Sequence, residues 1–426
     1  MVDLKQRAEA FEDLVETSLV DATGLLLSAL DSRTMKPFAR GFFTGDLDFI
    51  RSPGADIGEY ADLMAYENSG MVSGAYLCAM LGQYDATRDP RALDRAYRTF
   101  EGIRTLFNRC QEVEPGYLCK PYGGQITRET SSDQYIYVLT ALDRFCKIAG
   151  RAERDQAVAM IAALSRYWMD HDYTRDYFGK PLRWRLNRFT GFAWLNYVHT
   201  GDPAMRRELD RLAALPEVRE TLPFAELDLA QLLAEYETRP KLHIERRSGR
   251  MLLHGGAETA QSGTQSIDAC LEYNAPHRDL WLRQLKGLID RGRLSVQPDG
   301  RCLLTGFYNP GTGRLEPVDP PGDVNGEPHP DAFYKFMTFA GKIYTGMAAP
   351  MFARALVNAH LYLRDPELPA LARRILERAD QAALCAYHDP DGHLPPPMRW
   401  HLHTFSGDAA AHWLWAYWQG RARGYW

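Results

Sequence analysis

The sequence predicts an all-α protein, a single domain over residues 1–426 in which about six helical hairpins close into an (α/α)6 toroid. Three observations predict it. Apolar residues recur at helical spacing through most of the chain. One helix–helix turn, Arg88-Asp89-Pro90, recurs as Gly201-Asp202-Pro203 and Arg364-Asp365-Pro366. The remaining connections are longer, rich in glycine and aromatic residues, so the hairpins have two unlike ends.

Taken in order, helical periodicity covers residues 2–17, 60–87, 90–110, 128–149, 151–170, 188–199, 203–215 and 224–237. It resumes over 259–273, 279–291, 333–363, 366–387 and 405–423. Residues 24–58 are less regular. Residues 293–331 are rich in Gly and Pro and read as an irregular or β insert. In the Asp-Pro turns, Asp caps the free N–H groups of the new helix, and Pro at its first position forfeits no hydrogen bond. Ala149-Gly150-Arg151 reads as a glycine stop of the same kind. Each short turn follows an apolar helix and precedes an amphipathic one, so the apolar helices form an inner ring and the amphipathic ones an outer ring. The long connections, such as 115–121, 176–181, 298–303 and 390–395, then gather where the inner helices begin. Ordered loops on a rigid frame commonly carry function.

Composition narrows the partners. Charged residues are 25% of the chain and the net charge is −5, without the basic excess of a nucleic-acid binder. No apolar run is long enough to span a membrane. The N-terminal stretch is a charged amphipathic helix and not a signal peptide, which leads to an expectation of a cytoplasmic protein. The seven cysteines show no metal-ligand spacing and read as reduced thiols, several buried. No nucleotide, flavin or serine-hydrolase motif occurs, and no cofactor or metal is expected. Aromatic residues reach 12%, with nine Trp and 22 Tyr. They serve a large core, and some suit a pocket whose walls stack on sugar rings.

Four polar clusters stand where buried inner helices should begin. The densest is Arg128-Glu129-Thr130-Ser131-Ser132-Asp133-Gln134-Tyr135, where helix capping accounts for one or two residues and leaves Asp133 as a site candidate. Glu67 and Asn68 interrupt an apolar helix, and a carboxylate there needs a partner or a raised pKa; a buried ion pair is the competing reading. Trp184-Arg185-Leu186-Asn187-Arg188 places cations at a helix start, either for a bound anion or to pair with Glu129 or Asp133. Trp400-His401-Leu402-His403 precedes the last helix, with Asp408 beyond. Lys342 and the segment 261–265 are weaker candidates.

The inner-helix start Ser132-Asp133-Gln134-Tyr135-Ile136-Tyr137-Val138-Leu139, set in this architecture, resembles the six-hairpin glycosidases, in particular the unsaturated glucuronyl and rhamnogalacturonyl hydrolases of glycoside hydrolase families 88 and 105 and related β-glucuronidases. The resemblance implies a glycoside hydrolase acting on a uronic-acid-containing oligosaccharide. Asp133 would be the general acid and Glu67 or Glu129 the second carboxylate, ~6.5–9.5 Å away in an inverting enzyme. Arg185, Arg188, Lys342 and His403 would bind a sugar carboxylate. Tyr117, Trp184 and Trp400 would form stacking walls, and Asn68, Gln134, Asn187 and His401 would line the pocket. Two other readings stay open. A lyase or epimerase on the same toroid would lead with His401, His403 and Tyr135, and a non-catalytic binding toroid would ion-pair all its acids.

Overall fold

The computed structural model describes residues 3–43, 58–177, 180–219, 242–244, 251–254, 257, 263–319, 322–323, 339–394 and 396–426. Among them the helices are α1 (Leu4–Leu14), α2 (Tyr60–Tyr66), α3 (Ser69–Thr87), α4 (Pro90–Cys110), α5 (Ser132–Cys146), α6 (Arg151–Asp170), α7 (Thr190–Thr200), α8 (Pro203–Ala214) and α9 (Pro216–Arg219). They continue as α10 (Gly263–Glu272), α11 (Arg278–Ser295), α12 (Ala348–Leu363), α13 (Glu367–Arg378) and α14 (Gly407–Ala422).

Helices α3, α5, α7, α10, α12 and α14 pack side by side in that order, and α14 returns to α3, so the inner ring is closed. Helices α4, α6, α8, α11 and α13 each pack outside the inner helix that precedes them, and α1 packs outside α14. The first outer helix therefore partners the last inner one. Glu12 of α1 fastens this join. Its carboxylate accepts from Trp418 Nε1 on α14 (2.7 Å), Gln83 Nε2 on α3 (3.0 Å) and Arg95 on α4 (3.0 Å).

The sequence pattern explains the two rings. Helix α3 is buried from Ser69 to Gln83, whereas α4 buries one stripe that includes Ala96, Phe100, Ile103 and Phe107. Close contact between inner helices requires glycine at particular points. A Cβ on Gly74 would lie 2.6 Å from Tyr137 O of α5, and one on Gly191 would lie 2.5 Å from Ser266 Cα of α10. The short turns behave alike. Arg88, Gly201 and Arg364 end their helices in the left-handed conformation, and the following Asp side chain accepts from Arg91, Ala204 or Glu367 N–H. Gly150 differs from expectation. Its φ is −57°, and it opens α6 as the N-cap and does not stop α5 in the left-handed region.

Small antiparallel strands stand at the mouth, where inner helices begin: β1 (Ala29–Asp31), β2 (Thr174–Tyr177), β3 (Lys180–Arg183), β4 (Leu242–Ile244), β5 (Met251–His254), β6 (Thr305–Asn309), β7 (Arg314–Glu316), β8 (Gly322–Asp323), β9 (Phe339–Ala340), β10 (Tyr344–Thr345), β11 (Tyr387–His388) and β12 (Thr404–Ser406). The expected insert near 293–331 contributes the β6–β7 hairpin, which extends β4–β5 into a four-stranded sheet. Strand β1 pairs with β12, with Ala29 opposite Ser406, and ties the two ends of the chain a second time.

Several expected helices are shorter than their periodicity. Residues 60–87 form two helices because Glu67 and Asn68 break the run. The helix expected over 333–363 begins at Ala348, after β9 and β10; residues 333–338 lie outside the described residues. That expected over 366–387 ends at Arg378 and gives way to a 3-10 turn and β11. The one expected at 224–237 lies wholly outside the described residues, as do residues 259–262. Among the described residues no helix is long and apolar enough to cross a membrane.

Candidate active site at the toroid mouth

The break between α2 and α3 is held by side chains of the preceding loop. Asn68 N donates to Ser28 Oγ (2.9 Å), and Ser69 Oγ donates to Leu26 O (2.7 Å). The first bond satisfies a backbone N–H at the break, the second pins the start of α3 to the preceding loop, and together they fix the side chains of Glu67 and Asn68. Glu67 forms an ion pair with Lys120 and accepts from Tyr122 Oη at 2.6 Å. Lys120 is only 2% exposed, so a carboxylate beside it is required to keep its charge. Asn68 Nδ2 donates to Asp408 Oδ2 (3.0 Å), and its own oxygen accepts from Gln134 Nε2 (3.4 Å). Gln134 Oε1 accepts from Met71 N (3.1 Å), so the start of α5 locks the start of α3.

Asp133 is not a capping residue. Ser131 occupies the N-cap of α5 and makes no side-chain cap bond. The Asp133 carboxylate instead accepts from Arg188 at 2.9 Å, and the same guanidinium nitrogen reaches Ser132 Oγ at 3.2 Å. Arg188 also lies 5.7 Å from the ring centre of Trp184, so a cation–π contact holds it from the other side. Asp133, Gln134, Glu67, Asn68, Trp184 and Arg188 therefore meet at one mouth.

The structure adds four residues to the sequence-derived set: Asp408, Lys120, Tyr122 and His412. Asp408 lies on the first turn of α14 and is 1% exposed. Oδ2 is bonded to Asn68, whereas Oδ1 is buried without a hydrogen-bond partner among the described residues. Burial pushes its carboxyl up to about 8; the charges of Glu67 and Asp133 add to the rise, and Asn68 and Lys120 oppose it. Asp408 thus feels both acids of the mouth and holds its proton at neutral pH. The signal was present in Ser406-Gly407-Asp408, which opens an apolar helix as Ser131-Ser132-Asp133 does. Ser406 Oγ caps Ala409 N (3.1 Å), so Asp408 is not used as the cap. One turn below, His412 is buried with Nδ1 on Asp408 O (2.7 Å), and burial holds its imidazole down to about 3. Its Nε2 has no partner among the described residues.

Other sequence candidates are placed differently. Tyr117 is 1% exposed and donates to Thr127 O and Glu129 O, a packing role and not a stacking wall. Glu129 is also buried, and its carbonyl accepts from Lys120 N (2.8 Å). Tyr135 is buried and its hydroxyl accepts from Leu118 N (2.7 Å). Arg185 is exposed, and Asn187 accepts from Thr190 Oγ1 at the start of α7. Lys342 is 51% exposed and pairs with Asp391 at 3.5 Å. Trp400 stacks on His401 with ring centres 3.5 Å apart and packs on the cluster of Tyr60, Leu63 and Tyr122. It therefore borders the group that binds Glu67. Burial pushes the His401 imidazole down to about 3, and Tyr387 covers its other side. His403 is exposed.

The closed inner ring and the outer helices around it make an (α/α)6 toroid, with three carboxyl groups gathered at its mouth. No family model matches the sequence, and no curated protein matches it. Among solved structures the chain is similar to a sugar epimerase from a ruminal bacterium (12% identity, TM-score 0.56, 99% of this chain and 98% of that one). It is also similar to a D-mannose isomerase (11%, 0.51, 98% and 96%). A third is an unsaturated glucuronyl hydrolase from Bacillus sp. GL1, responsible for the degradation of glycosaminoglycan (14%, 0.50, 96% and 94%). At these identities the likeness is one of fold.

Proposed function

We propose that this chain is a glycoside hydrolase acting on an oligosaccharide, with Asp408 as the proton donor and Asp133 as the base that activates water. The observation that carries this reading is the contrast between the two carboxyls. Asp408 is buried and retains its proton at neutral pH, while Asp133 faces Arg188 as half of an ion pair. Two acids whose surroundings separate their protonation states are the requirement of acid–base glycoside cleavage. The acid role assigned to Asp133 from the sequence passes to Asp408, because the Arg188 guanidinium donates to the Asp133 carboxylate while Asp408 is buried without a cation on it among the described residues.

Glu67, held by Lys120 and Tyr122, positions Asn68 through the break it occupies, and Asn68 orients Asp408. In the reaction Asp408 transfers its proton to the glycosidic oxygen as the bond to the anomeric carbon breaks. Asp133 takes a proton from water as its oxygen attacks that carbon. Trp400 and Trp184 are the stacking walls, and a uronic acid is the sugar that the cations of the mouth suit.

The test is product analysis on p-nitrophenyl glycosides, neutral and uronic, and on unsaturated uronyl disaccharides. New reducing ends are expected, with turnover falling ~10²–10⁴-fold in Asp408→Asn and in Asp133→Asn. Unchanged turnover in both variants sinks the assignment.

A sugar epimerase is the second reading, favoured by one observation: His412 is neutral, lies under Asp408 and has an unpartnered Nε2. It predicts deuterium uptake from heavy water into the sugar with no bond cleaved, abolished in His412→Asn. A lyase would instead produce the ultraviolet absorbance of a new double bond.

A further inference from the structure

All seven cysteines are buried and unbridged. Two of them touch. Cys110, the last residue of α4, and Cys119, in the loop before α5, have their sulfurs 3.5 Å apart, and Cys119 N donates to Cys110 Sγ at 3.4 Å. No other pair among the described residues is in such contact.

Cys119 is the neighbour of Lys120, the cation that binds Glu67. Their segment is tied into the mouth at successive residues. Leu118 N donates to Tyr135 Oη (2.7 Å), Thr130 Oγ1 donates to Leu118 O (2.6 Å), Lys120 N donates to Glu129 O (2.8 Å), and Thr127 Oγ1 donates to Lys120 O (2.7 Å). A displacement of Cys119 is thereby a displacement of Lys120 and of the approach to Asp133.

We propose that Cys110 and Cys119 form a redox latch: oxidation joins them, draws the Lys120 segment toward α4 and switches the mouth off, and reduction restores it. A disulfide needs its sulfurs at about 2.05 Å, so closure draws them together by roughly 1.5 Å. Cys110 is the attacking sulfur, since it accepts the backbone N–H of Cys119, a bond that favours its thiolate. The oxidant is a low-molecular-weight disulfide. The Cys110 thiolate attacks one of its sulfurs, forming a mixed disulfide and releasing one small thiolate. Cys119 loses its proton to solvent and attacks the Cys110 sulfur, releasing the second small thiolate. Two protein thiols become one disulfide, and one small disulfide becomes two thiols. Access comes from local opening of the segment between α4 and α5, whose regular structure is a single 3-10 turn, Tyr122–Gly124.

The experiment incubates the full chain with oxidised glutathione, blocks remaining thiols with an alkylating agent, and maps the peptides by mass spectrometry. The expected result is one Cys110–Cys119 cross-link and five alkylated cysteines, reversed by dithiothreitol and absent in Cys119→Ala. Retention of all seven thiols by the folded chain, or cross-linking of another pair, overturns the latch. The switching half rests on the hydrolase reading and is measured separately, as turnover of whichever p-nitrophenyl glycoside the reduced enzyme cleaves. A loss of at least tenfold on oxidation, absent in Cys119→Ala, is expected. A cross-linked enzyme at full turnover refutes the switch, whereas absence of turnover in the reduced enzyme refutes the hydrolase reading and leaves the cross-link result standing.

Discussion

Asp408→Asn should make the protein more stable at neutral pH, by an amount that grows with pH. In the folded chain burial pushes the carboxyl up to about 8, and an unfolded Asp titrates near its ordinary 3.8. Between those two values the folded state holds a proton that the unfolded state has released. Stability contributed by this site is therefore fully present below about pH 4 and is lost as pH rises toward 8, at about 1.4 kcal/mol per pH unit. At pH 7 the accumulated loss is about 4 kcal/mol, and at pH 5 it is about 2 kcal/mol. Asparagine carries no charge at any pH, and its oxygen replaces Oδ2 as the acceptor for Asn68 Nδ2. The substitution should thus stabilise by a few tenths to about 2 kcal/mol at pH 5 and by several kcal/mol at pH 7. Urea unfolding of both proteins at pH 5, 6, 7 and 8 measures the difference directly. Curves that run parallel across this range would show that Asp408 is ionised in the folded state and refute the reasoning.

Three further outcomes follow from the packing of the mouth. Lys120→Met leaves Glu67 without its cation and should cost about 2–4 kcal/mol in urea unfolding; no loss would mean that the pair is solvated. Gly74→Ala sets a methyl against Tyr137 O on α5 and should lower stability by about 1–3 kcal/mol or more in the same assay. Asp133→Asn exchanges an exposed-edge ion pair for a neutral contact, so unfolding should shift by less than about 1 kcal/mol while glycoside turnover falls by orders of magnitude; a large unfolding shift with intact turnover would reassign Asp133 to structure.

The toroid was legible because its construction repeats. Three turns of one kind separate apolar from amphipathic helices, and each is realised with a left-handed residue, an Asp that accepts the next free N–H, and a Pro that is the first helical residue of α4 and α8 and stands just before α13. Helix lengths were less legible wherever polar side chains supplied substitutes for helical hydrogen bonds. Glu67–Asn68 breaks a continuous apolar pattern because Ser28 Oγ receives the Asn68 N–H and Leu26 O receives the Ser69 hydroxyl, which sequence periodicity does not encode. At the mouth, Asp133, Glu67, Asn68, Gln134 and Arg188 stood out as polar residues opening buried helices. Asp408 stood in the shadow of the two preceding histidines, although Ser406-Gly407-Asp408 repeats the pattern around Asp133. Lys120 lay in a loop that read as a connection, and its value depends on Glu67, 53 positions earlier in the chain. Tyr117 and Tyr135 read as pocket aromatics because residue type does not distinguish a hydroxyl that faces sugar from one that bonds a buried carbonyl or amide.

The proposed chemistry depends on which carboxyl group meets the bond that breaks. The direct measurement is a crystal structure of Asp408→Asn with the glycoside that the native enzyme turns over fastest. The side chain at 408 should lie within hydrogen-bond reach of the glycosidic oxygen, with Asp133 on the opposite face of the sugar and a water between. A sugar bound elsewhere, or with its glycosidic oxygen turned away from residue 408, would contradict it.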